Sequence, residues 1–243
     1  MITKKSVLVT GGAGGMGLAT AFKLSQNGFH VFVADTNMAM IKNIELNDAI
    51  TPLLMDVTDR KSIERAFNEV KSQTDSLAGI VNFAGILRVG SISEMPEEML
   101  SQLLDINVMG TYRVNQIFLP LLNTDSKGRI INVSSETGWQ SGGPFNGAYA
   151  MSKHAIEAYS DSLRRELMFL GISVIKLQPG PFKTNMVAGI ETNFNQAIEI
   201  TQYFTKQISR VKEIALNEQS KAHSPNIIAS TVLKALTCKK PKA

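Results

Sequence analysis

The sequence predicts an α/β fold: a doubly wound parallel sheet with helices on both faces. Short β-branched apolar runs alternate with longer segments of helical period, the pattern of strand–helix–strand units. A glycine cluster lies between the first apolar run and the first helical segment, and polar residues fitted for chemistry follow later runs. That is the edge at which ligands bind in such sheets. A length of 243 residues without an internal repeat or a Pro/Gly-rich tract reads as one domain, residues 1–243.

Ser6–Val9 is the first strand, and a helix is expected from about Gly15 to Asn27, ended by Gly28. Val31–Ala34 is the second strand, closed by Asp35. Thr51–Met55 gives the third, and a helix over Asp59–Ser72 is expected to be capped near Thr58. Ala78–Asn82 is the fourth strand and Arg129–Ser134 the fifth, with helices between them from about Pro96 to Leu104 and from about Val108 to Leu122. A long helix covers about Tyr149–Leu170, ended by Gly171, and Ser173–Leu177 is the sixth strand.

Composition narrows the function classes. The net charge of +4 is mild, and its visible concentration is Lys239, Lys240 and Lys242 near the C-terminus. Without aromatic or motif context this is a solvated tail, so no nucleic-acid partner is expected. His30, His154 and His223 are scattered without metal-ligand spacing, so no metal is expected. No run approaches the roughly 18 apolar residues of a membrane span. The N-terminus enters a strand without a secretory pattern, and a lone Cys238 cannot form an internal disulfide. A cytoplasmic location is the expectation.

Thr10-Gly11-Gly12-Ala13-Gly14-Gly15-Met16-Gly17 joins the first strand to the first helix. Glycines permit a tight turn and a close backbone approach to a pyrophosphate, which the free N–H groups and positive dipole end of a helix then hold. Asp35 lies 20 residues beyond Gly15, where a carboxylate accepts from ribose hydroxyls and repels a 2′-phosphate. Thr36 follows in place of a cation, which favours NAD over NADP; an aspartate that merely caps its loop would share this position. Asp56-Val57 and Asn82-Phe83-Ala84-Gly85 end the third and fourth strands, where adenine and ribose would be approached, though either is also ordinary turn chemistry.

Tyr149 and Lys153 are four apart on a helix and so share a face. A neighbouring ammonium lowers a phenol's pKa, which makes Tyr149 a candidate acid/base; a surface Tyr–Lys pair has the same spacing. Ser134-Ser135 follows the fifth strand, where a hydroxyl can hold a substrate oxygen as charge develops on it, or cap its own turn. Gly-x-Ser-x-Gly is absent, so no hydrolase arrangement competes.

Together these motifs resemble the short-chain dehydrogenase/reductase family in its short, single-domain, Rossmann-type form. The resemblance spans roughly Lys5 to Lys240 and rests on Thr10-Gly11 through Gly17, Asn82 to Gly85, Asn107, Ser135, Tyr149/Lys153, and Pro179-Gly180 with Thr184. It implies Tyr149 as general acid/base, with Lys153 lowering its pKa and binding the nicotinamide ribose. Ser135 would orient the substrate oxygen, Asn107 would hold a relay water, and Pro179, Gly180 and Thr184 would contact the nicotinamide end. The cofactor-binding set is then Gly11, Gly14, Gly15, Met16, Gly17, Asp35, Asp56, Val57, Asn82, Ala84, Gly85, Tyr149, Lys153, Pro179, Gly180 and Thr184.

The runs Tyr159–Leu167 and Gln178–Thr184 are similar to those of hydroxysteroid and retinol dehydrogenases. Three departures accompany the resemblance. Phe83 stands where the family has a second asparagine. Ser135 and Tyr149 are 14 apart, one more than usual, so the loop must bulge, with Gly142-Gly143 available to absorb the residue. The chain ends at Lys240-Pro241-Lys242-Ala243, about where relatives begin a last strand that often builds the subunit interface. A homodimer or homotetramer is therefore only a family-level expectation.

Residues 185–223 are rich in apolar side chains, among them Met186, Val187, Ile190, Phe194, Ile198, Ile200, Tyr203 and Phe204. The family places a substrate lid here, whose closure excludes water; most of these side chains would pack it onto the body. With Trp139 and Phe145 they suggest a pocket for a hydrophobic secondary alcohol or ketone. A 3-ketoacyl reductase-like enzyme is the alternative, and a silent NAD-sensing protein is disfavoured because both Tyr149 and Lys153 are retained.

Overall fold

Six strands pair in the order β3-β2-β1-β4-β5-β6, every neighbouring pair parallel. They are β1 Ser6–Thr10, β2 His30–Asp35, β3 Ile50–Leu54, β4 Leu77–Asn82, β5 Arg129–Val133 and β6 Ser173–Leu177. The computed structural model describes residues 2, 5–37, 48–122, 128–184, 189–219 and 221–241. This is the Rossmann-type order, with its reversal between β1 and β4.

The strands are buried on both faces, as parallel sheets require. Leu8, Phe32, Leu53, Ile80, Ile130 and Val174 point to one core, with Ile63, Phe118 and Leu167. Val7, Val9, Val33, Val81, Ile131 and Ile175 point to the other, with Ala21, Leu24 and Val232. Register places Thr10 beside Ala34 and Asn82, Asn82 beside Asn132, and Val133 beside Leu177. The carboxyl ends of all these strands thus share one edge, and the loops that carry the site leave from it.

The helices are α1 Gly15–Ser25, α2 Arg60–Gln73, α3 Glu97–Leu104, α4 Thr111–Phe118, α5 Gly147–Leu167, α6 Ile190–Ile200, α7 Thr205–Gln219 and α8 Pro225–Thr237. Gly28 takes a φ of +84° just past α1, and Gly171 a φ of +71° past α5, both as expected of glycines after helices. The cap of α2 is Asp59, which accepts from Lys61 N–H at 2.9 Å. Thr58 is not the cap, because its hydroxyl and N–H are both spent on Asp56.

The two helices expected before β5 form one continuous stem. A π-helical turn, Asp105–Gly110, joins α3 to α4. A Cβ at Gly110 would lie 2.7 Å from Val57 Cγ2, so this glycine lets the stem approach the β3 loop closely.

Helix α8 was not expected. Its signals were present: Ser224 caps Asn226 N–H, Pro225 opens the helix, and Ile228, Ala229 and Val232 share a buried stripe. It packs on α1, and buried Arg129 of β5 donates to Ala235 O and Cys238 O at its end. No helix among the described residues is long and apolar enough to cross a membrane.

Candidate active site

A cleft of about 310 Å³ opens at the carboxyl edge, over the reversal between β1 and β4. Gly11, Gly14, Gly15, Met16, Gly17, Asp35, Asp56, Val57, Ala84, Gly85 and Thr184 all line it, as the sequence placed them. Gly11 has a φ of +61°, and a Cβ there would stand 2.8 Å from Ala84 N. The turn therefore needs glycine on both counts, and β1 and β4 can close together beneath it. No side chain caps the N-terminus of α1 and no acidic residue lies in its first turn, so its free N–H groups and dipole face the cleft. Those donors, that shape and the two strand-end carboxylates fit a dinucleotide.

Asp35 does both things its position allowed. Its carboxylate faces the cleft and also accepts from Ala13 N–H and Asn37 N–H, each at 3.1 Å. It thereby fixes the glycine loop against β2. Asp56 is held by the Thr58 hydroxyl at 2.7 Å and the Thr58 N–H at 2.8 Å.

Asn82 is placed differently from expectation. Its side chain is not among those lining the cleft but donates to Asn115 Oδ1 at 2.8 Å and Asn132 Oδ1 at 2.9 Å. Asn115 also donates to Asn132 and the Tyr159 hydroxyl, and Asn132 donates to Ser160. This buried amide cluster ties α4 and α5 to the sheet centre, so Asn82 acts through the frame. Pro179 and Gly180 likewise lie outside the cleft lining; Pro179 O accepts from Glu136 N–H at 3.1 Å, and Gly180 abuts the Glu136 side chain.

At the reacting end, α5 presents Tyr149 and Lys153 on one face, with Lys153 Nζ 5.5 Å from the Tyr149 ring centroid. Ser135, not Ser134, meets Tyr149: the two hydroxyls are hydrogen-bonded. Ser134 is fully buried and donates instead to Lys153 O. Ser135 Oγ already accepts from Thr137 N–H and Thr137 Oγ1 at 3.3 and 3.1 Å, which leaves its own proton for Tyr149 or a substrate oxygen. The extra loop residue is absorbed before α5, where Phe145 takes a φ of +64°.

The electrostatics reverse one expectation. Burial is the largest influence on Tyr149 and pushes it up to about 12, against the downward pull of Ser135 and with a further upward push from Glu136. Burial also pulls Lys153 down to about 8. Lys153 does not lower the phenol here because desolvation outweighs its attraction. Its ammonium is held by Val133 O at 2.9 Å.

Asn107 sits in the π-turn, where such irregularities often mark function. Its Oδ1 accepts from Ile86 N–H at 2.8 Å, and its Nδ2 donates to Ile86 O and Ser152 Oγ. Ser152 in turn donates to Tyr149 O, so the turn, the β4 loop and α5 are stitched together beneath the acid/base.

The geometry defines a dinucleotide-dependent oxidoreductase site: a phosphate-binding glycine turn beside a buried Tyr/Lys/Ser set. The family model described as short chain dehydrogenase matches residues 5–208, and the chain belongs to the short-chain dehydrogenase/reductase family, whose members use a nicotinamide cofactor. It is 33% identical over 233 residues to the uncharacterized oxidoreductase YbbO of Escherichia coli K12, covering 92% of this chain and 86% of the relative. Mouse retinol dehydrogenase 7 is 34% identical over 86% of this chain and 66% of its own. Among solved structures, actinorhodin polyketide ketoreductase with NADPH superposes with a TM-score of 0.83 minus 0.01, that is 0.82, at 26% identity, covering 97% of this chain and 92% of that one.

Proposed function

We propose that the protein interconverts a hydrophobic secondary alcohol and its ketone with NAD(H), Tyr149 serving as the general acid/base. The observation that carries this reading is the buried Tyr149 hydroxyl, hydrogen-bonded to Ser135 with Lys153 across its ring, beside a dinucleotide-shaped cleft. The nicotinamide supplies or accepts the hydride at the reacting carbon. In the reducing direction the Tyr149 proton passes to the substrate oxygen, and in the oxidising direction it returns. The Ser135 proton steadies that oxygen while charge develops. Lys153, held by Val133 O, places a cation beneath the tyrosine ring. A relay water at Asn107 would meet its main-chain carbonyl, which already accepts from Thr111 Oγ1, because the side chain's own bonds are made.

NAD over NADP is supported by Asp35 and by the absence of a cation at Thr36, although the ketoreductase relative carries NADPH. An apolar substrate is supported by the retinol dehydrogenase resemblance and by the residues left uncovered near the site. Phe194, Ala197, Ile208 and Val89 are buried together, with Ile190, Ile198, Phe204 and Phe145 against them. Those side chains pack α6 and α7 onto the body as a lid, and they leave Trp139 and Tyr203 exposed, at 61% and 75%. Met186 and Val187 lie outside the described residues. Cytoplasmic residence rests on the lone cysteine, and self-association on the exposed Met168, Phe169 and Leu170 after α5.

The test is titration with NADH and NADPH, followed by Trp139 quenching, and then a screen of steroid, retinoid and long-chain alcohols and ketones. Tight NADH and weak NADPH binding with turnover of apolar substrates is expected. Turnover confined to small polar polyols would overturn the substrate reading, and tighter NADPH binding would overturn the cofactor reading.

A further inference from the structure

Glu136 stands directly after Ser135 in the turn that positions the reacting oxygen. The main chain builds this turn: Glu136 N–H donates to Pro179 O, and Glu136 O accepts from Trp139 N–H and Gln140 N–H. The carboxylate takes no part in it. It is exposed, and among the described residues it makes no hydrogen bond or ion pair. Lys183, three residues beyond Gly180 on the facing loop, is exposed and is not paired with it. The carboxylate leans on the loop after β6, its Oε2 3.0 Å from where a Gly180 Cβ would stand. Any side chain at 180 would press on it there.

An unpaired carboxylate is an odd neighbour for an acid/base that shares negative charge with a substrate oxygen. Its field opposes phenolate and alkoxide alike, and it adds to the upward push that burial already gives Tyr149. With a neutral substrate it can only hinder. A cation lying between the carboxylate and the reacting oxygen reverses that sign, because it is attracted by the carboxylate and stabilises the charge that develops. Backbone geometry sets where such a cation would lie: adjacent Cα atoms are about 3.8 Å apart, so a group held by Glu136 is a few bonds from an oxygen held by Ser135.

We infer that Glu136 is a specificity-determining residue that receives a substrate ammonium a few bonds from the reacting carbon, making amino ketones and amino alcohols the preferred substrates. The inference rests on the oxidoreductase reading of Tyr149 and narrows its substrate class to apolar bodies carrying an amine near the carbinol.

Two ketones of matched shape test it: β-dimethylaminopropiophenone, cationic at neutral pH, and its carbon isostere isohexanophenone. The wild-type protein is expected to reduce the amino ketone with a kcat/KM about tenfold or more above the isostere, the scale of about 1.4 kcal/mol. In Glu136→Gln that ratio is expected to fall about tenfold, mainly through the KM of the amino ketone, and Glu136→Asp is expected to restore part of it. Equal use of both ketones by the wild-type protein, or an unchanged ratio in Glu136→Gln, overturns the assignment while leaving Tyr149's role intact. Reduction of neither ketone, nor of any in the wider screen, overturns the oxidoreductase reading and this inference with it. The wild-type ratio decides the matter even if Glu136→Gln does not fold.

Discussion

The two ends of the cleft are made of different material. At the nucleotide end the working groups are backbone: a glycine turn and an uncapped helix start, with Asp35 pinning the loop through Ala13 N–H. At the reacting end they are buried ionisable side chains whose protonation is set by desolvation, with Tyr149 near 12 and Lys153 near 8. Backbone donors keep their charge distribution at any pH and cost little to hold in place. Buried phenol and ammonium are costly to hold and respond to whatever charge enters beside them. Binding and chemistry should therefore separate under mutation.

The largest separation is expected from Tyr149→Phe. Removing one hydroxyl should cost about 10³-fold in kcat, within the range of positioned acid/base catalysis, and leave NADH affinity almost intact. Steady-state rates alongside fluorescence titration check both halves. Substantial residual turnover would refute the role of Tyr149, and a parallel loss of NADH binding would show that the two ends are not separate.

Lys153→Met sharpens the contrast, since it should abolish turnover and yet stabilise the fold. In the unfolded chain the ammonium has its ordinary value of 10.5, and folding lowers it to about 8. The unfolded state thus binds more protons between those values, so stability rises with pH across that window and the penalty is fully present below pH 8. The gap corresponds to at most roughly 3 kcal/mol, and losing the bond to Val133 O takes back about 1 kcal/mol. A net gain of about 1–2 kcal/mol at pH 7, or about 3–6 °C in Tm, is expected by calorimetry. A lowered Tm would mean that the lysine is structurally favourable.

The same contrast explains what could be read in advance. Glycine spacing and a strand–helix junction are local, so the nucleotide end and the six strands were legible from Gly11 to Gly17, Asp35 and the β-branched runs. Tyr149, Lys153 and Ser135 were legible as identities, from spacing. Their electrostatics were not, because desolvation depends on what the whole fold lays over them. Asn82 was misplaced for a related reason. Its partners Asn115 and Asn132 come from α4 and β5, and only the ladder register that sets Asn82 beside Asn132 brings them together. The π-turn at Asn107 left no periodic trace, so one stem was read as two helices. Glu136 was passed over as an ordinary loop residue, since its lack of a partner is visible only in three dimensions.

At the nucleotide end, Asp35→Asn is the finer probe. An amide oxygen can still accept from Ala13 N–H, so the loop should hold, whereas the charge that disfavours a 2′-phosphate is gone. The NADH-over-NADPH preference is expected to narrow about fivefold, on the scale of one charge–charge contact near water. An unchanged ratio in paired titrations would mean that Asp35 serves the loop alone.

The smallest effect belongs to a third region, where the lid meets the body. Glu94 accepts from Thr201 Oγ1, Gln202 N–H and Tyr203 N–H, so one carboxylate from the loop before α3 grips the turn between α6 and α7. Those bonds hold it below its ordinary value of 4.5, the Thr201 hydroxyl contributing most. A depressed carboxylate lends its support above the ordinary value and loses it as pH falls through the folded one, so the grip should loosen only in acid below about 4.5. Glu94→Ala removes it at neutral pH. The apolar cluster of Phe194, Ala197 and Ile208 still packs the helices on the body, so the fold should survive and KM for apolar substrates should rise about twofold, the scale of a net hydrogen bond or less. Hydrogen exchange should quicken at residues 201–204 and not at the glycine turn. If exchange quickens at both, the lid and the nucleotide end open as one cooperative unit, and the separation of binding from chemistry holds only within the body of the sheet.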